Sequence, residues 1–470
     1  MEGLVEVAGR WWLPSSPRKR AVGVLRLSPF ASIELQLQGS LAPAGVIPER
    51  ASAILGISDI GRPVALFNCR RLRVRGTAPS WSGDYGASYC LLGFRCASES
   101  EEVISKFRLR LGLIDLWLRR PPFTVAGENT ASGSQWLVGF DRGPDQRLGS
   151  DSSGNSVTVL RSPPRISNDR IRSVNFACDT SLQVECGSPV SLLSAVRTAN
   201  QLRRFFSLLT GFPLAPPAIE MDRPPRATAR PTGPYAFPGP ELHYLPDFPV
   251  APAGWRIGEI LLNASHVGDS PGALLDNYLN TEEALRPAVD ALLVTLSNPD
   301  LPAEVECLLL TQGLEVLHRV TSDETHLPRR DFKKLLRQLR KLNLSDQGIL
   351  LTKDTRDRLC LSLQWANGLT LRERLTSLLR RLDDGLVSAV VPDVSGFVSA
   401  AVDTRNHLAH RGDPKHLVCT GRELTLLNLR MKILVLTLLL QGIGVNANLL
   451  AKRMPQSALF VELVQANYAH

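Results

Sequence analysis

The eight cysteines of this 470-residue chain, at positions 69, 90, 96, 178, 186, 307, 360 and 419, never fall at C-x-x-C spacing. Metal centres and disulfide frameworks need clustered or regular cysteines, so scattered ones read as buried free thiols. The longest greasy run, ILVLTLLLQGIGV at 433–445, is interrupted by Gln441 and two glycines. It falls short of the ~20 apolar residues of a membrane span and reads as a buried helix. The opening MEGLVEVAGRWWLP shows no charged segment leading into an apolar one, so no secretory leader is expected and the cytoplasm is the default compartment. Histidine is scarce, at eight residues. Neither the H-E-x-x-H of zinc hydrolases nor the G-x-S-x-G of serine hydrolases occurs, which removes the two commonest hydrolytic signatures.

What is present describes a folded, multidomain protein. Hydrophobic residues make up 44% and charged residues 21%, the balance of a globular chain, and the length suggests two or three domains. The net charge is +9, and its placement is uneven. Residues 301–470 hold 23 Lys and Arg against 17 Asp and Glu, so +6 of the excess lies in the last third. A basic surface attracts polyanions, of which nucleic acid is the commonest in a cytosol.

The expected fold class is α+β, with β structure first and an all-α domain last. Over roughly the first 180 residues, short alternating runs such as SIELQLQG (32–39) are punctuated by Gly, Pro and Ser. This pattern favours an antiparallel sandwich or barrel. The stretch VISKFRLRLGLIDLWL (103–118) fits either a strand or a helix. A helix over 191–211, ending at a glycine, closes a β-rich region spanning 1–212. Residues 213–254 follow as a linker or surface-wrapping segment. Twelve prolines between Pro213 and Pro252 exclude a helix and make a poor central strand. A helical connector at 255–300 leads to a helical bundle at 301–470, with helices expected near 302–320, 329–342, 370–382, 394–411 and 421–441. The helix at 329–342 carries Lys333, Lys334 and Arg337 beside an apolar stripe, which reads as a solvated bundle face or an RNA-backbone contact.

The densest chemistry lies in DTRNHLAHRGD at 403–413. On a helix stopping at Gly412-Asp413-Pro414, Asn406 and His410 share one face and Asp403 and His407 its neighbour. An arginine, a histidine and an amide suffice for RNA cleavage, because the substrate brings its own nucleophile, the 2′-hydroxyl. Imidazole takes or gives the proton near neutral pH, and a guanidinium binds the phosphate through paired donors. No metal is needed for that chemistry. The bland alternative is a polar helix end with both histidines capping carbonyls.

The hexad RNHLAH (405–410) resembles the R-x4–6-H motif of HEPN domains in its R-N-x-x-x-H form. CLLLTQGLEVLHR (307–319) resembles the E-x-x-h-R helix of the Apea-like subfamily, with Glu315 at the acidic position. The first region is similar to the ApeA N-terminal domain through GRWWLP (9–14), GVLRLSPFASIELQLQGSL (23–41), ILGISDIGRPVALFNCRRLR (54–73) and DLWL (115–118). The segments 213–252 and 255–300 carry no part of the resemblance. It implies a C-terminal HEPN helical bundle that acts as a metal-independent endoribonuclease in abortive-infection defence against phage, without a cofactor. Arg405, His410 and Asn406 carry over as catalytic, with Glu315 and His407 supporting them and Lys333, Lys334, Arg337 and Arg411 contacting RNA. The implied partners are RNA (tRNA among the candidates), a second or further copy of the chain and a phage-derived trigger. A non-catalytic RNA- or nucleotide-binding module, and a purely structural scaffold, remain the other readings.

Overall fold

The computed structural model describes residues 4–28, 31–41, 48–75, 82–112, 114–118, 123–130, 133–141, 143, 145–150, 154–169, 173–222, 239–245, 260–268, 271–341, 352–363, 366–410 and 417–468. The chain divides into two compact units, Met1–Glu282 and Glu283–His470.

The first unit opens with a closed barrel. Its strands are β1 (Val5–Trp12), β2 (Ala21–Ser28), β3 (Ser32–Gln38), β4 (Arg50–Ser58), β5 (Pro63–Arg75) and β6 (Ser82–Gly86). They pair antiparallel in the order β5-β4-β1-β2-β3-β6, and β6 returns to β5 to close the ring. Strict alternation drives this: in β2 and β3 every second residue is buried, as a two-residue side-chain period requires. Trp11, Leu25, Leu27, Ile33, Leu35, Leu37, Ile54, Leu66 and Tyr85 fill the interior. Trp11 sits opposite Gly56 in the β1–β4 pair and donates its indole N–H to the Gly23 carbonyl at 3.1 Å.

Along the edge away from β4, β5 serves two partners. Val64 to Phe67 pair with β7 (Tyr89–Leu92), and Arg70 to Arg75 pair with β6. Between them lies Asn68, at φ +53°, a conformation that asparagine tolerates better than most side chains. Its amide donates to the Ser88 hydroxyl at 3.0 Å. The sheet thereby continues out of the barrel.

The remaining elements of this unit are β8 (Ile104–Arg110), α1 (Ile114–Leu118), β9 (Phe123–Thr130), β10 (Gly133–Phe140), β11 (Gln146–Ser150), β12 (Ser156–Arg161), β13 (Arg165–Asp169), β14 (Ser173–Ala177), β15 (Thr180–Val190), α2 (Leu192–Thr210), β16 (Ala218–Met221), β17 (Glu241–Tyr244), α3 (Ala264–Val267) and the start of α4 (Pro271–Ser297). The ambiguous 103–118 stretch is both things in succession, a strand and then a short helix. α2 ends at Gly211 with φ +77°, the left-handed C-cap the sequence signalled.

The proline-rich segment departs from expectation. β16 and β17 come from it, and they lie inside the sheet between β8 and β7. Neither strand contains a proline. The prolines flank them, so every ladder N–H that the sheet uses is intact.

The second unit is helical, as expected. It comprises the rest of α4, then α5 (Ala303–Thr321), α6 (Arg329–Lys341), α7 (Lys353–Leu363), α8 (Leu371–Leu379), α9 (Asp384–Val390), α10 (Val394–His410), α11 (Gly421–Gly442), α12 (Ala447–Arg453) and α13 (Ala458–Tyr468). α5 packs against α11, α10 and α8. The greasy run at 433–445 supplies the second half of α11, buried from Ile433 to Leu440, and the turn after it. Among the described residues, no single helix is long and apolar enough to cross a membrane. α8 starts with a capping box in which Thr370 and Glu373 bond each other's backbone N–H.

Candidate functional site

α5 and α10 set the geometry. α10 runs without a break from Val394 to His410, its start tied by the Asp393 carboxylate accepting from the Gly396 N–H at 2.9 Å. Phe397, Val398, Ala401 and Thr404 face the interior. The buried Thr404 hydroxyl accepts the Cys419 N–H at 2.9 Å, which fastens the returning chain to this helix. α5 is fixed from the other side. Asn428 of α11 donates both to the Ala303 carbonyl and to Glu306, each at 2.8 Å, and Lys432 pairs with Glu306 at 2.5 Å.

Glu315 is the hub. Its side chain is 18% exposed, and its Oε1 lies 3.6 Å from Arg405 Nη2 of α10. Its Oε2 lies 3.3 Å from Arg374 Nη1 of α8 and 3.2 Å from Arg319 Nη2, one turn along α5. Arg374 is 16% exposed, Arg405 33% and Arg319 62%, so the cluster opens outward from a covered floor. One carboxylate among three guanidiniums leaves two positive charges unneutralised, which is the electrostatics of an anion site. Arg405 Nη1 also donates to Asn406 Oδ1 at 3.1 Å.

The other sequence candidates are placed as follows. His407 is half-buried and His410 is exposed in the last described turn of α10, four residues beyond the exposed Asn406. Among the described residues no hydrogen bond holds the His410 ring. Lys333, Lys334 and Arg337 are exposed on α6, a different helix from those that carry the Glu315 cluster. Arg411, and the helix stop at 412–414, lie outside the described residues.

Arg374 escaped the sequence reading. It stands in TLRERLTSLL, where an arginine looks like any solvated helix residue, and its partner lies 59 positions away. Arg372, on the same helix, donates to Ser399 of α10 at 2.6 Å and ties α8 to the site helix. His318, a turn below Glu315, does not pair with it. It is 3% exposed and faces Glu324 at 3.5 Å, and its burial holds the imidazole pKa below its usual value, with Glu324 partly opposing. The Ser377 hydroxyl donates to Glu324 at 2.8 Å and is the main reason that carboxyl titrates low.

A barrel-bearing β unit followed by a helical unit whose Glu-bearing helix meets an R-N-x-x-x-H helix end is the arrangement that the resemblance to HEPN proteins implies. The ApeA N-terminal domain 1 family matches residues 6–239 and the Apea-like HEPN family matches residues 308–449, so the chain belongs to the ApeA-like proteins with a C-terminal HEPN domain. The first match runs into the proline-rich segment, in keeping with β16. No curated protein and no solved structure matches the chain. The HEPN match marks the second unit as a defence-related, RNase-like module, of a domain type that typically binds RNA and dimerises.

Proposed function

We propose that the helical unit is a metal-independent endoribonuclease of an abortive-infection system directed against phage. The observation that carries this reading is the Glu315–Arg405 pair, which anchors the arginine on the same helix end as Asn406 and His410. In this reading the 2′-oxygen of a ribose attacks the adjacent phosphorus, the bond to the 5′-oxygen breaks, and a 2′,3′-cyclic phosphate and a 5′-hydroxyl form. His410 accepts the 2′-hydroxyl proton or supplies one to the departing 5′-oxygen. Arg405 pairs with the phosphate oxygens as negative charge develops on them. Asn406 offers an amide beside them, and His407 supports from the adjoining face.

Glu315 acts by position. It holds Arg405 and Arg374 in fixed directions without contacting RNA, so the guanidinium geometry is set before substrate arrives. The His410 ring alone cannot be base and acid in the same step. A second copy supplying its own His410 completes the pair, which makes a homodimer or higher homo-oligomer the working form. The substrate is a cellular RNA, with tRNA a candidate, and a phage-derived component is the trigger.

A second reading draws on the exposed His410 ring. A proton-transfer imidazole is commonly oriented by a further group, and none does so among the described residues. A non-catalytic RNA- or nucleotide-binding HEPN module would need no such group. Sequencing RNA ends after induction of wild type and of His410→Ala separates the two. The nuclease reading expects new 5′-hydroxyl ends in the wild type alone, whereas a binder yields none in either.

A further inference from the structure

The outer face of the barrel carries arginines that its fold does not explain. Arg50 of β4 stands directly opposite Arg70 of β5 in the ladder, and both are exposed. Like charges in such a pair destabilise a sheet. Further along β5, Arg70, Arg73 and Arg75 lie opposite Gly86, Asp84 and Ser82 of β6, a bulge between Arg71 and Arg73 keeping the phase. Between Asp84 and Gly86, Tyr85 points into the core, so this register puts the three arginines on the outer face. Asp84 neutralises Arg75 at 2.6 Å. Among the described residues no carboxylate lies within ion-pair distance of Arg50, Arg70 or Arg73. The nearest acid by register is Asp84 itself, opposite Arg73 and one two-residue step along β6 from the Gly86 that faces Arg70, and it is engaged by Arg75. The next, Glu34 of β3, lies two strands from Arg70 across side-chain-less Gly86, a separation of about 10 Å.

We infer that Arg50, Arg70, Arg73 and Arg75 form a docking strip for single-stranded RNA on the barrel. Successive arginines along β5 are set one two-residue step of β6 apart, about 7 Å, which suits phosphates along an extended polynucleotide. All the cations are arginine, whose planar fork matches phosphate oxygens in pairs. Leu72, exposed within the strip, lies against Gly86 and offers an apolar contact to a sugar or base. An acidic protein segment fits less well. β6 takes one edge of β5 along the strip and β4 takes the other as far as Arg70, so a partner strand cannot add by backbone pairing at the Arg50–Arg70 end. The like-charge juxtaposition is then a cost of the unliganded protein that bound phosphates relieve. The choice of RNA over DNA rests on the nuclease reading; the strip itself does not.

The test uses the full chain carrying His410→Ala, so that cleavage cannot disturb binding, and a fluorescein-labelled oligouridylate read by anisotropy. Arg50→Gln/Arg70→Gln/Arg73→Gln should weaken binding at least tenfold and reduce the slope of log affinity against log salt by about 2, the single-strand value for three lost phosphate contacts. Unchanged affinity and slope overturn the proposal. Polyglutamate displacing the RNA as readily as unlabelled oligouridylate overturns it in favour of an acidic protein, and tighter binding of oligothymidylate overturns the choice of RNA. Without RNA, Arg70→Gln should leave the melting temperature equal or higher. A fall of several degrees would make the arginines structural and end the proposal. Absence of RNA cleavage by the wild type, with binding and its loss as expected, would sink the nuclease reading and leave the strip standing.

Discussion

Glu315 and Arg405 meet across α5 and α10, 90 positions apart in the chain, with Oε1 3.6 Å from Nη2. The same carboxylate grips Arg374 from α8. Three helices of the HEPN unit therefore converge on one side chain, and the arginine of the R-N-x-x-x-H hexad is held from outside its own helix.

Glu315→Gln keeps the shape of that hub and removes its charge. Released, Arg405 and Arg374 repel each other and lose their shared anchor. Single-turnover RNA cleavage should fall about 100-fold, the scale on which a misplaced positioning group acts, while Arg405→Lys falls at least as far because lysine lacks the paired donors. Wild-type cleavage by a folded Glu315→Gln protein would show that Arg405 does not depend on its acidic partner.

The proposed nuclease reading gives the two histidines of the hexad different roles. His410→Ala should reduce cleavage by about 10²- to 10⁴-fold, the range of a lost general acid–base group. His407→Ala, at a half-buried position on the adjoining face, should cost less than tenfold by comparison. Matched losses in the two variants, measured on one labelled RNA, would contradict the assignment to His410.

How much of this could be read from sequence depends on the range of the interaction. α5, α8, α10 and α11 follow from local periodicity and caps, and RNHLAH is a contiguous motif, so both were legible. The hub was legible only in part. Glu315 was marked through the resemblance of CLLLTQGLEVLHR to the Apea-like helix, but Arg374 reaches it only through tertiary packing, and nothing in the local pattern of α8 distinguishes it from Arg372 or Arg380. In the β unit the alternation of β2 and β3 announced a sandwich or barrel. Closure depended on a change of partner at Asn68, which no hydrophobic period encodes. β16 and β17 were hidden for another reason. Four-residue strands between prolines carry too little pattern to stand out, and their place between β7 and β8 is set by the strands already there.

Acid should weaken the helical unit through His318. Its folded-state pKa lies below the usual 6.5, so the folded protein resists a proton that the unfolded chain accepts. Stability is then fully present above about pH 6.5 and declines as the pH falls below it. The groups facing the ring are Glu324, which opposes the shift, and Arg381 and Arg374, which reinforce it. Glu324 also titrates low and also loses stability in acid, but its loss sets in only near and below its usual 4.5, under most of the range in which His318 first acts. Thermal melts between pH 7 and pH 5 should show a falling transition for the wild type and a flatter one for His318→Gln. Equal slopes would remove His318 as the cause.

The barrel makes a sharper steric demand at Gly56. A β-carbon there would sit 2.4 Å from the Trp11 ring, which is wholly buried and held by its bond to Gly23. The ring is rigid and cannot yield as a flexible side chain would, so Gly56→Ala should cost about 1–3 kcal/mol, the usual penalty of overpacking. The cost should shrink when the ring is made smaller. Trp11→Phe leaves a void and removes the indole donor from the Gly23 carbonyl, so it too destabilises alone, yet the methyl group that Gly56→Ala adds partly fills the space that the indole vacates. The double variant should therefore lose less than the two single losses added, a coupling expected only of residues in contact. Denaturant midpoints of the barrel transition for the four proteins measure it, and strict additivity would place Trp11 elsewhere than over Gly56.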